Sequence, residues 1–257
     1  MDFTSYDSIL LLACAFVAGL VDAVVGGGGL IQLPAMLFYI PNESISTVLG
    51  TNKVASFSGT TVSAVKYGAR SKVNWRATIP AVVLAVPFSF VGAFFVSQLN
   101  KEYLKPIMLF LFLAVGIYTF LKKDFGKIES KHVAKNREVF FSCLVGSVIG
   151  FYDGFFGPGT GSFLVFLYVV VFGFDFLQAS VSAKIVNVVT NFSALLYFFF
   201  TDNIIFSIAI PVAISNILGS FIGTNLALKK GASFVRIVFL VMVSAFILKM
   251  AKDVFFK

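Results

Sequence analysis

The chain predicts an all-α polytopic membrane protein built from two copies of one module, and three observations carry that reading. The first is composition. Of 257 residues, 58% are hydrophobic and 12% charged, whereas a soluble domain carries about 25% charged residues; mean hydropathy is +0.95. The second is a succession of apolar stretches near the length of ~20 residues that a bilayer-crossing helix needs. The third is a repeated phrase. Gly19-Leu-Val-Asp22-Ala-Val-Val-Gly26-Gly27-Gly28-Gly29 returns as Gly150-Phe-Tyr-Asp153-Gly-Phe-Phe-Gly157-Pro158-Gly159-Thr160-Gly161, with Gly150 lying 131 positions after Gly19 and Asp153 131 after Asp22.

Taken in order, residues 1–7 hold two Asp and no Lys or Arg, so the first stretch reads as a retained helix and not a cleaved leader. Ser8–Val25 and Leu30–Ile40 flank the first glycine run. Val48–Tyr67 follows a Pro41-Asn-Glu-Ser turn, then Ala77–Gln98 and Leu104–Leu121. A basic linker, Lys122–Arg137, carries six cations. The second half supplies Val139–Phe156, Gly161–Phe174, Leu177–Thr201, Ile204–Leu228 and Phe234–Met250. The 131 offset persists without a gap: Lys53 matches Lys184, Pro80 matches Pro211, and Gly92 matches Gly223. The division is therefore a membrane repeat over 1–124, a cytoplasmic linker over 125–138, and a second repeat over 139–257.

Each repeat holds a glycine-broken helix pair and three transmembrane helices. If each broken segment crosses once, there are eight crossings and parallel repeats. If each is a re-entrant hairpin, each half has three crossings and the repeats are inverted. Cations of cytoplasmic loops orient a membrane protein, but both arrangements place most of them inside. The cation-free Thr201–Asn203 loop, opposite a counterpart near Arg70 that holds four, favours the hairpins.

Function is sought in the polar residues that lipid would reject. Lys53 and Lys184 are either snorkelling lysines near helix ends or a pair of cations facing a cavity, since a lysine at mid-membrane costs about 2.5–3.5 kcal/mol. Each heads a stripe at helical spacing: Lys53, Ser56, Thr60, Ser63, and Lys184, Asn187, Asn191, Ala194. The glycine runs are either tight helix contacts or backbone that lines a wet cavity, because freed N–H and C=O groups are not tolerated against lipid. In the second case Gly27, Gly28, Gly29, Gly159, Thr160 and Gly161 bring helix N-termini to an anion. Two such breaks at matching positions point to a transporter site. Asp22 and Asp153 are either proton-coupling carboxylates or structural acceptors that pair with Lys53 or Lys184. Gln32, Asn52, Thr51 and Thr160 are further donors to a solute. Tyr67 and Trp75 flank a basic loop and read as interfacial anchors.

Other classes are excluded. One His, at 132 in a polar loop, and scattered carboxylates make no metal set, and no nucleophile–base pair marks an enzyme. No cofactor motif is present. Cys14 and Cys143 read as small apolar side chains. The net charge of +8 belongs to loops and indicates no nucleic acid. The expected partners are the lipid bilayer of the cell (inner) membrane and a small anionic substrate, with a homo-oligomer left open.

The duplicated Gly-x-x-Asp-x-x-x-Gly-x-Gly pattern, the Gly50-Thr51-Asn52-Lys53 run and its echo Ser182-Ala183-Lys184-Ile185-Val186-Asn187 together resemble the sulfite exporter TauE/SafE family, also called the toluene sulfonate uptake permease family. The resemblance covers nearly the whole chain. It implies a permease for sulfite, sulfonates such as sulfoacetate, or other small organic anions. The second glycine run departs from the first, with Gly157-Pro158-Gly159-Thr160-Gly161 against Gly26-Gly27-Gly28-Gly29-Leu30. An asymmetric site is the expectation.

Overall fold

The computed structural model describes residues 6–99, 134 and 137–255, with side chains up to residue 230. The stretch Leu104–Leu121, most of the linker and His132 lie outside the described residues. Eight helices make up the described fold: α1 (Tyr6–Val25), α2 (Gly29–Tyr39), α3 (Ile45–Gly68), α4 (Trp75–Gln98), α5 (Glu138–Phe155), α6 (Thr160–Val170), α7 (Phe176–Phe200) and α8 (Phe206–Phe255). Among the described residues, five helical segments are long and apolar enough to cross a membrane: α1, α4, α5, α7 and residues 206–230 of α8. The fold is that of a multi-pass membrane protein. α8 continues as one helix through both of the last two apolar stretches, which the sequence separates.

Local chemistry sets the ends of these helices. Ser44 and Asp175, at matched positions, cap α3 and α7; Ser44 accepts from Thr47 N–H and Asp175 from Leu177 and Gln178 N–H, satisfying donors that a helix start leaves open. Gly26 (φ 81°) and Gly157 (φ 92°) take left-handed backbone, where a side chain is strained, and each ends the helix before it. α2, α6, α3, α7, α4 and α8 begin at residues 29 and 160, 45 and 176, 75 and 206, so each pair keeps the 131 offset.

α2 folds back beside α1. At 11 residues it is about 16 Å long, too short to span ~30 Å of hydrocarbon, and Tyr39 at its end shares a 2.8 Å hydrogen bond with Ser8 at the start of α1. A continuing helix would carry Tyr39 away from Ser8. The broken pair is therefore a hairpin. α3 and α7 run antiparallel: Gly50 packs on Phe198 and Asn203, while Gly68 lies beside Val181. This matched pair thus points in opposite directions, as the inverted arrangement requires.

The halves interlock through small residues. Gly146, Gly150 and Gly154 of α5 lie on Ala81, Ala85 and Ser89 of α4, where a Cβ would strike backbone. Gly19 of α1 lies in the same way on Asn216 of α8, and Gly219 and Gly223 lie on Phe16 and Leu20. Small residues four apart let membrane helices approach closely. Each first helix therefore packs on the fourth helix of the other half. Large apolar side chains such as Phe38, Phe94, Phe140, Phe200 and Phe221 point outward, as a lipid-facing surface requires.

Candidate functional site

The two glycine breaks meet at the centre. Ser162 Oγ donates to Val25 O at 2.6 Å, Ser162 N–H donates to Gly26 O at 3.3 Å, and Gly161 lies directly on Gly26. The contact is close enough that any Cβ at Gly26 or Gly161 would collide with the other strand. This explains the need for glycine at both.

The polar stripes of α3 and α7 face this junction, apart from Ser63, whose Oγ accepts from Thr224 Oγ1 of α8. Asn52, Lys53, Thr60, Ser63, Lys184, Asn187 and Asn191 are each at most 5% exposed. Neither lysine snorkels. Lys53 Nζ lies 2.9 Å from Asp153 Oδ2, donates to Asp153 O at 2.7 Å and to Asn191 Oδ1 at 3.1 Å. Lys184 Nζ lies 2.8 Å from Asp22 Oδ2 and also donates to Asp22 O. Each lysine pairs with the aspartate of the other half, so the ion pairs join the halves crosswise.

The physical logic is that of helix C-termini. α1 and α5 end three and two residues after Asp22 and Asp153, so the carbonyls the ammoniums bind belong to last helical turns, which carry partial negative charge; Asp22 O also accepts from Gly26 N–H at 2.7 Å. A carboxylate in the same turn adds to that charge. Gly157 lets Lys53 in: a Cβ there would lie 3.1 Å from Nζ. Thr60 Oγ1 donates to Asp22 Oδ2 at 3.2 Å, and the matched position in the second half is Asn191.

A small cavity opens over one of the pairs. Asp22, Gly26, Gly29, Asn52, Lys53, Ser56, Thr60, Asp153, Gly157, Gly159, Gly161, Asn187 and Asn191 line it. The space open to a water's centre is about 20 Å³, where one water needs about 10–15 Å³. Its charged wall is Lys53, Asp22 and Asp153. Lys184, behind Asp22, completes two cations against two anions.

Several sequence-predicted residues stand off the wall. Lys184 is buried against Asp22. Thr160 Oγ1 donates to Gly157 O at 2.7 Å and braces the second break. Gln32 Oε1 accepts from Asn216 Nδ2 at 2.6 Å. Thr51 Oγ1 donates to Thr47 O and accepts from Ile205 N–H, tying α3 to the start of α8. Gly27 and Gly28 sit in the break without facing the cavity. The helix-start donors are partly committed: Leu30 N–H goes to Gly27 O, Ile31 N–H to Gly28 O and Thr160 N–H to Gly157 O.

Tyr67 corrects its sequence reading. It is 1% exposed, and its hydroxyl donates to Ala23 O at 3.0 Å, so it pins α3 to the end of α1 and is no interfacial anchor. Trp75 is exposed at the start of α4. Asn216 and Ser162 escaped sequence reasoning. An amide inside the apolar stretch Ile204–Leu228 was the available signal, since polar groups within a membrane segment need partners.

Comparison with known proteins follows the same lines. The family model "Sulfite exporter TauE/SafE" matches residues 11–250. A probable membrane transporter protein, ORF9, of Sinorhizobium sp is 32% identical over 95% of this chain and 92% of its own length. A probable membrane transporter protein of Haemophilus influenzae is 30% identical over 96% of each chain, and YfcA of Escherichia coli K12, also a probable membrane transporter protein, is 31% identical over 88% of this chain and 83% of its own. No solved structure matches. On a match across nearly the whole sequence, the chain belongs to the sulfite exporter TauE/SafE family of membrane transporters and is not an enzyme.

Proposed function

We propose that this protein is a secondary permease for small anions, with sulfur oxyanions and organosulfonates such as sulfite or sulfoacetate as the leading substrates, working by alternating access between two inverted repeats over 1–124 and 139–257. The observation that carries this is the meeting of two glycine-broken hairpins over buried lysines at one cavity. Non-helical backbone inside a membrane protein is tolerated where it lines such a cavity. The cavity is too small for a polyatomic anion as it stands, so entry requires the tips to part. A lasting open pore is not what this packing favours.

The charge arrangement supports proton coupling. Lys53 can give an anion the place it now gives Asn191 Oδ1, and a proton on Asp153 would strengthen that hold by weakening the competing ion pair. The neighbouring charged groups are Lys53 from α3 and, across the cavity, Asp22 with Lys184 from α7.

Uptake of sulfite or sulfoacetate into proteoliposomes tests the reading. Wild type is expected to carry flux and Lys53→Ala to lose it; equal flux in the two ends this assignment. Counterflow then separates mechanisms, because trans substrate accelerates exchange through a carrier and not through a channel. Asp153→Asn should abolish accumulation driven by a proton gradient. If no gradient drives accumulation in wild type, the carboxylates act in structure alone.

A further inference from the structure

The two lysine–aspartate pairs occupy matched positions, but their surroundings differ. Lys53 forms part of the cavity wall and Lys184 does not. Beside Lys53 stands Asn52, 5% exposed, on the same wall, with a buried Oδ1 that has no hydrogen-bond partner. The matched neighbour of Lys184 is Ala183, which carries no polar side chain. A buried amide end left without a partner is unusual, because burying a polar group unpaired is unfavourable. An amide can present either its oxygen or, turned over, its two N–H donors.

From this contrast we infer that the anion site is one-sided: Lys53 and Asn52 hold the solute, and the Lys184–Asp22 pair is a closed clamp that joins the halves. This rests on the anion-permease reading above and locates the ligand within it. The Lys53 ammonium donates hydrogen bonds to Asp153 O and Asn191 Oδ1 and lies 2.9 Å from Asp153 Oδ2 as an ion pair. Of the two hydrogen bonds, the one to Asn191, at 3.1 Å, is the longer and its acceptor is a neutral side chain, so an entering oxyanion takes that place. Asn191 keeps its bonds to Asn187 O and Oδ1 through Nδ2. The Asn52 amide turns its N–H groups to a second oxygen of the same anion. The ligand class is a small oxyanion with two acceptor oxygens on one face.

Paired substitutions keep the fold while removing one pair at a time, since replacing both members of a buried ion pair is often neutral for stability. Purified full-length protein in detergent is titrated with sulfite, thiosulfate and sulfoacetate, and melting temperature is followed, because bound ligand raises it by mass action. Wild type and Lys184→Met/Asp22→Asn are both expected to be stabilised by the same anion, the double variant at least as strongly as wild type, because Asp22 is a wall carboxylate that repels an anion. Lys53→Met/Asp153→Asn should melt normally without ligand and show no shift with it. Asn52→Ala should keep the ligand-free melting temperature, since Oδ1 has no partner to lose, and weaken the anion at least tenfold. Loss of the shift in Lys184→Met/Asp22→Asn with a normal ligand-free melt overturns the one-sided site while the permease reading stands. So does an unchanged affinity in Asn52→Ala. Should wild type respond to none of the three anions, the permease reading itself fails and the one-sided site falls with it.

Discussion

Asp22 and Asp153 are equivalent by sequence and unequal in place. The Asp153 side chain is 2% exposed and holds Lys53; that of Asp22 is 18% exposed and holds Lys184, with Thr60 as a second donor. The lesson is that a duplicated motif conserves which groups meet and not what each meeting does. The same ammonium on the same kind of helix end becomes a cavity wall in one place and a buried fastening in the other.

The largest effect should come from breaking one member of each pair. Lys53→Met leaves Asp153 as a buried charge with no counterion, a change that costs about 3–5 kcal/mol in comparable sites. Lys184→Met leaves Asp22 better hydrated and hydrogen bonded to Thr60, so the loss should be smaller. Adding Asp153→Asn to Lys53→Met should restore most of the stability. Denaturant unfolding in detergent measures all three. Equal losses in the two single variants would show that the surroundings of the pairs are energetically the same.

Much of this site could be read from the chain. Lys53, Lys184, Asp22, Asp153 and the glycines stand out because charged groups and broken helices are rare inside a membrane segment. The hairpin, however, depends on Tyr39 finding Ser8, a contact 31 residues apart that no local pattern encodes. The crosswise pairing likewise joins residues at least 100 positions apart, which no local pattern encodes. Tyr67 was misread because a tyrosine beside a basic loop usually marks the interface; only the fold shows the Ala23 carbonyl within its reach.

Packing of the two interlocked helix pairs gives the next effect. Gly19 and Gly150 occupy matched positions, and a Cβ at either would overlap backbone of Asn216 or Ala85. Gly19→Ala and Gly150→Ala should each destabilise by about 1–3 kcal/mol, the usual cost of overpacking a close contact. Gly27→Ala is the control. Its nearest neighbour would be Ser162 Oγ at 3.7 Å, an ordinary contact, so its melting temperature should stay within a degree or so of wild type. A Gly150→Ala protein that melts like Gly27→Ala would mean that α4 and α5 can separate without loss, contrary to the packing described.

The smallest effect tests where the halves diverge most. Gln32 and Asn216 share a buried amide hydrogen bond of 2.6 Å, and their matched positions are Phe163 and Ala85. Ser220 Oγ donates to Asn216 Oδ1 at 3.3 Å, while Gln32 Nε2 is buried with no partner. Hydrogen bonds between membrane helices average about 0.6 kcal/mol and reach about 1.7. A double-mutant cycle of Gln32→Leu and Asn216→Ala should therefore return a coupling near 0.6 kcal/mol. Gln32→Leu also removes an unpaired buried donor, which offsets part of its loss. The double variant reproduces the apolar character of the matched positions Phe163 and Ala85, which pack without such a pair, and should unfold close to wild type with its flux intact. A coupling well above about 2 kcal/mol, or flux lost in a stable double variant, would place this amide pair in the transport path and make these two positions polar for function and not by tolerance.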